Sequence, residues 1–193
     1  MNGLSPHALA EENPAMDQQA DAKDVAASKA GDAEAYRRLV QRHQPGIFRR
    51  MRRFARANST AEELVQDVFV EAYFSLGTFS GRAPFEHWLN RIATRVGYAF
   101  LKRQSKLAKV AGNPAILESL PAPQAADPDD AAESLHAVLD RLSPRDRLVV
   151  TLIYLENRTV KQTADLTGWS QTMVKVQAFR ARSRLKKLLQ EQP

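Results

Sequence analysis

The sequence predicts an all-α protein: two helical domains joined by a flexible linker, the second of them ending in a helix-turn-helix. Three observations carry this. Apolar residues recur at helical spacing in two long stretches, and nothing alternates as a strand would. Between residues 106 and 132, Gly112, Pro114, Pro121, Pro123 and Pro128 forbid a long helix. Near the C-terminus, Gly168 separates two short helical patterns at a point where a tight turn needs positive φ.

Residues 1–24 are rich in Ala, Gln and acid with little periodicity, which predicts a disordered tail. The first domain is expected over 25–105. Ala26, Ala30, Ala33, Tyr36, Leu39 and Val40 recur at near-helical spacing, and Asp32 after Gly31 is placed to cap a helix start. Pro45-Gly46 marks a break. Beyond it Ile47, Phe48, Met51, Phe54 and Ala55 give an arginine-rich helix its apolar face. Ser59-Thr60-Ala61-Glu62-Glu63 offers an N-cap and capping box, with acids in the first turn. Leu64, Val65, Val68, Phe69, Ala72 and Tyr73 then form one stripe, which stops near Leu76-Gly77. A loop punctuated by Gly81 and Pro84 leads into a helix over about 85–103 that buries Trp88, Leu89, Ile92, Val96 and Phe100.

The linker 106–132 ends acidic, with Asp127, Asp129 and Asp130, and fully extended it would reach about 90 Å. The second domain is expected over 133–190. Leu135, Val138, Leu139 and Leu142 are spaced i, i+3, i+4, i+7. Ser143-Pro144-Arg145-Asp146 has Ser at the N-cap, Pro at the first helical position and an acid at the third. The helix it starts buries Leu148, Val149, Leu152 and Ile153. Thr159 caps a short helix ending at Gly168, and Ser170 caps the last, which continues past Arg184.

Composition excludes several chemistries. The 193 residues contain no Cys, which removes disulfides, thiol nucleophiles and cysteine zinc sites. His7, His43, His87 and His136 show no ligand spacing, so no metal site and no cofactor are expected. No phosphate loop, Ser-His-Asp set or paired carboxylates point to an enzyme. No apolar run approaches a bilayer's thickness and no secretion signal is evident, so a cytoplasmic protein without stable membrane insertion is expected. The net charge is +6 and unevenly spread. No acid occurs between Ala35 and Ala61, between Glu86 and Glu118, or between Asp165 and Glu191, and each stretch carries at least six Lys or Arg. Each could be a solvated helix face. Three together favour an extended polyanion such as nucleic acid.

The stretch VKQTADLTGWSQTMVKVQAF, residues 160–179, places Ala164 where two helices cross closely and Val174 back toward the core. Thr172, Lys175, Val176, Phe179 and Arg180 fall on the other side of the last helix. There they are available to a DNA major groove, where Lys and Arg donate to guanine and Thr or Val packs on thymine methyls.

The longer stretch LSPRDRLVVTLIYLENRTVKQTADLTGWSQTMVKVQAFRARSRLKKLL resembles region 4 of bacterial sigma factors. GDAEAYRRLVQRHQPGIFRRMRRF, AEELVQDVFVEAYFSLGTFSG and APFEHWLNRIATRVGYAFLKRQ resemble successive pieces of region 2. With only these two domains, the chain is similar to the extracytoplasmic-function (ECF) group. The resemblance departs at Thr163, where the family has a larger aliphatic, at Ala178 for a Leu or Ile, and at Arg95 for an Asn.

This resemblance implies promoter DNA and core RNA polymerase as partners, with an anti-sigma factor as regulator. Thr172, Lys175, Val176, Phe179 and Arg180 would read the −35 element, with Arg182 and Arg184 on phosphates. Phe79, Ser80, Trp88, Arg91 and Arg95 would serve the −10 element, aromatics stacking on unpaired bases and cations tracking phosphates. Trp88 fits the buried stripe equally well, whereas Phe79 in its Gly-bounded loop is hard to explain as core. Glu63, Gln66, Asp67, Val70 and Glu71 would face the polymerase. A free-standing helix-turn-helix activator would account for 133–190 but not for the first domain.

Overall fold

The computed structural model describes residues 14–110 and 130–190, and every element among them is helical. Helix α1 spans Pro14–Lys29, α2 Ala33–Met51, α3 Asn58–Ser75 and α4 Phe85–Val110. Beyond the linker follow α5 (Asp130–Asp140), α6 (Pro144–Val150), α7 (Val160–Thr167) and α8 (Gln171–Gln190). A π-turn, Thr151–Leu155, prolongs α6.

Local signals place most starts and stops where the sequence puts them. Asp32 caps α2, its Oδ1 accepting from the Glu34 and Ala35 N–H groups at 2.9 and 3.2 Å. Ser143 caps α6, with Pro144 at the first position. Thr159 and Gln162 close a reciprocal capping box on α7, and Ser170 accepts from the Met173 N–H at the start of α8.

Four expectations are corrected. Residues 14–24, expected within a disordered tail, belong to α1; residues 1–13 lie outside the described residues. This helix is held by charge rather than by an apolar stripe, so hydrophobic periodicity misses it. Asp21 and Asp24, both 4% exposed, take Arg38, Arg42 and His43 of α2. The Pro45-Gly46 break does not form. Helix α2 runs through Pro45 because Leu39, Ile47 and Met51 on either side are buried, and that burial offsets the missing hydrogen bond. Helix α3 starts one residue before the expected Ser59 cap, behind Ala57, with no side-chain cap. Helix α4 continues past residue 105 to Val110 and takes the first turn of the expected linker; residues 111–129 lie outside the described residues.

The first core gathers Leu39, Met51, Phe54, Val68, Leu89 and Ile92 among others, and it does not stop at the linker. Leu148 and Leu152 of the second helical bundle belong to the same buried cluster. A smaller core of Leu139, Leu142, Val150 and Ala181 sits beneath α8. Helices α6 and α7 therefore pack on α4, and polar contacts edge the seam. Arg50 Nε lies 3.2 Å from Glu156 Oε1, the two side chains 4% and 2% exposed. Burial pulls the Arg50 guanidinium down to about 10, Glu156 opposes the shift, and the group stays cationic at neutral pH. Arg147 Nη2 donates to the Phe54 carbonyl at 3.0 Å, and Arg56 meets Asp140 at 2.7 Å.

Asp146 illustrates how α8 is held. Fully buried, its carboxylate accepts from the Ser143 hydroxyl, from Gln177 Nε2 and from Arg184 Nη1. Asp146→Ala removes a first-turn acid and these acceptors together. Its expected cost is about 2–3 kcal/mol, since hydrogen bonds to charged groups are worth ~1.5–3 each but Arg184 can return to water. Urea denaturation checks it; an unchanged midpoint would make the network incidental.

Candidate nucleic-acid interface

Helices α7 and α8 form the expected helix-turn-helix. Gly168 has φ +74°, a left-handed conformation that an L side chain adopts only under strain, and its N–H donates to the Ala164 carbonyl at 2.9 Å. Ala164 is 8% exposed and Val174 fully buried, so the inner face is closed. Thr163 is also fully buried, with its Oγ1 lacking a hydrogen-bond partner, at the position where the resemblance departs from an aliphatic.

The outer face of α8 is open. Thr172, Lys175, Val176, Phe179, Arg180 and Arg182 are exposed, Phe179 at 64%. A bulky ring held outward at the level of two cations is a poor use of core-forming residues and a good surface for base edges and phosphates. Arg184 differs from its neighbours, because its guanidinium is held on Asp146. Sequence reasoning missed Trp169, whose ring meets Tyr98 of α4 edge-on at 6.0 Å and ties the turn to the first bundle.

The residues expected at a second DNA surface are split by the fold. Ser80, Arg91 and Arg95 are exposed and Trp88 is half-buried. Phe79 is a correction: it is 9% exposed and part of the core. Lys29 of α1 donates to its carbonyl at 2.6 Å and draws the loop inward. Its ring then lies 5.7 Å from Phe85 and 5.3 Å from Trp88. The sequence reading missed this because the anchor stands 50 residues away in the chain, and no local pattern couples it to the loop.

The arginine-rich stretch on α2 and just beyond it is also less free than its composition implies. Arg38, Arg42, Arg50, Arg53 and Arg56 all have carboxylate partners, from α1 or from the second bundle. Much of that charge builds the fold.

Helix α3 presents a different surface. Glu63, Gln66, Asp67 and Val70 are exposed, while Glu71 pairs with Arg95 at 2.5 Å. Tyr73 and Phe74 join them at 55% and 82% exposure. Sequence reasoning put Tyr73 in the buried stripe and passed over Phe74. The available signal was spacing: Gln66, Val70 and Phe74 are i, i+4, i+8, a ridge on the side opposite the core. An apolar ridge rimmed by acids is the anatomy of a protein contact.

Among the described residues no group of His, Asp and Glu could hold a metal ion, and no helix is long and apolar enough to cross a membrane.

The family model for Sigma-70 region 2 matches residues 39–107, and that for Sigma-70, region 4 matches residues 132–185. The ECF RNA polymerase sigma factor SigM of Mycobacterium tuberculosis is 28% identical, across 89% of this chain and 86% of that protein. The RNA polymerase sigma factor CnrH of Cupriavidus metallidurans is 29% identical, across 88% of this chain and 95% of that one. A solved structure of CnrH in complex with the cytosolic domain of CnrY aligns with a TM-score of 0.61 at 23% identity, covering 92% of this chain and 99% of that chain; that likeness is one of fold.

Proposed function

Since the chain belongs to the sigma-70 family, in its ECF group, we propose that it binds core RNA polymerase and directs it to promoters through a −35 and a −10 element. One observation carries the reading: a single chain joins a helix-turn-helix with an open basic and aromatic face to a second bundle with an acidic and apolar helix face. In this reading Thr172, Lys175, Val176, Phe179, Arg180 and Arg182 contact the −35 duplex, and Arg184 supports α8 through Asp146. Ser80, Trp88, Arg91 and Arg95 serve the −10 element. Phe79 lies beneath them, and its burial favours a supporting role over direct stacking on a base. The protein performs no chemistry of its own and works in the cytoplasm, where polymerase and chromosome meet.

The polymerase would take α3 through Glu63, Gln66, Asp67, Val70 and Glu71, to which Tyr73 and Phe74 are added. Asp67→Arg reverses one charge on that face and disturbs nothing buried. Co-purification with core polymerase should fall at least about tenfold, or ~1.4 kcal/mol, with an unchanged circular dichroism spectrum. Undiminished co-purification would move the docking surface off α3. The reading as a whole is tested by adding the purified chain to core polymerase and sequencing the transcripts. Specific starts preceded by two shared elements support it; binding to DNA without any dependence on core would mark a simple activator.

An anti-sigma factor is proposed as a further partner, membrane-anchored, and contacting both 25–105 and 133–190. Support comes from the CnrH likeness, a sigma factor solved with the cytosolic domain of CnrY. The two bundles already pack on one another here, so such a partner would have to reach around the seam or part it.

A further inference from the structure

The family model for region 2 begins at residue 39, so α1 falls outside the stretch it matches. Helix α1 is nevertheless built into the first bundle. Val25 lies in the core at 6% exposure, and the Asp21 and Asp24 carboxylates hold Arg38, Arg42 and His43 of α2. The helix ends on Lys29, a cation at the carbonyl end of the helix dipole. From there the ammonium reaches the loop that leads into α4. Its Nζ donates to the Phe79 carbonyl at 2.6 Å and stands 5.9 Å from the centroid of the same residue's ring. A hydrogen bond from a charged donor is stronger than a neutral one, and here one group holds both the backbone and the ring of Phe79. The Phe79 N–H is held as well, donating to the Leu76 carbonyl at 3.1 Å.

Beyond Phe79 the loop is tied much less. Ser80, Gly81, Arg82 and Ala83 are exposed, and Gly81 has φ +73°. The next hold is Pro84, whose carbonyl accepts from the His87 N–H at 3.0 Å in the first turn of α4. The peptide joining Phe79 to Ser80 is trans, so the Ser80 N–H points opposite to the Phe79 carbonyl. With that carbonyl turned onto Lys29, the N–H faces away from α1, and among the described residues it has no hydrogen-bond partner. An oriented free donor, on a loop whose Phe79 ring packs on the half-buried Trp88, suits an unstacked base. Removing Lys29 would let the peptide rotate, and the donor would turn with it.

We propose that Lys29 is a positioning residue for the −10 element: from the end of α1 it fixes the Phe79–Ser80 peptide, and so aims the loop 80–83 at an unpaired base. The anchor stands on the geometry above; its consequence for base preference rests on the promoter reading.

Lys29 is itself exposed, so Lys29→Met disturbs nothing buried, and Lys29→Arg keeps the donor and the charge. The anchor is read first in the free chain, by NMR relaxation. Order parameters at Ser80 and Gly81 should lie near about 0.85 in the wild type and fall below about 0.6 in Lys29→Met, with Lys29→Arg close to the wild type. Core polymerase loaded with each chain then selects strands from single-stranded DNA with a randomised centre. Lys29→Met should load onto core as the wild type does, yet lose about tenfold or more in preference at one or two base positions. Lys29→Arg should recover most of that preference. Unmoved order parameters in Lys29→Met would overturn the anchor, and retained base preference would overturn the positioning role. A uniform loss on every strand, with the salt slope lower by about 0.7, would also overturn it and make Lys29 a direct phosphate contact. If the wild type on core selects no sequence, the −10 reading fails and the positioning role with it, while the order parameters still decide the anchor.

Discussion

Replacing Lys175 and Arg180 together by alanine is expected to weaken binding to the −35 duplex by about 2–6 kcal/mol. Both side chains are exposed on the outer face of α8, so their loss leaves the core of the helix-turn-helix untouched. A good contact from Lys or Arg to a base edge is worth roughly 1–3 kcal/mol. Five residues apart on a helix, the two are separated enough for their effects to add approximately. Titrations of labelled duplex at two salt concentrations distinguish the modes. Base contacts would show as relaxed preference at one or two positions. Phosphate contacts would show as a uniform loss and a salt slope reduced by about one per residue. Unchanged affinity would remove α8 from the DNA surface altogether.

Phe54→Ala is expected to cost about 3–5 kcal/mol of stability, the range for deleting a buried aromatic ring. Phe54 is 1% exposed, and its ring lies so close to Gly97 that a Cβ added there would stand 2.9 Å from it. The missing side chain at Gly97 is what admits the ring between α2 and α4. Its carbonyl also receives Arg147, so the residue ties the first core to the seam. For a domain of this size, 1 kcal/mol corresponds to roughly 2–4 °C, and the midpoint of thermal unfolding should fall by about 6–20 °C. Gly97→Ala should act in the same direction by overpacking, at about 1–3 kcal/mol. A midpoint unmoved in both variants would mean that the ring does not fill this space.

Much of the candidate site is legible from residues close together in the chain. The capping box at Thr159 and Gln162, the left-handed turn at Gly168 and the periodicity of Val174 and Ala181 each depend on a few neighbours, so sequence order reveals them. The exposed set on α8 follows from the same periodicity. Phe74 was within reach of that reasoning, through its spacing from Val70. Phe79 and Arg184 were not. Each is positioned by a partner far away in sequence: Lys29 draws Phe79 inward, and Asp146 holds the guanidinium of Arg184, which stays exposed.

By itself, then, the sequence determined most of the helices, the caps of α2, α6, α7 and α8 and the face of α8, because periodicity, caps and the sign of φ act over a few residues. Only the tertiary structure decided which charges are surface and which are framework. Asp21 and Asp24 hold α1 against arginines of α2, Arg50 meets Glu156 across the seam, and Leu148 and Leu152 join the first core. A basic or apolar residue carries no local mark of whether a distant carboxylate or a second bundle will cover it. That is set when the chain closes and buried charge must find its partner.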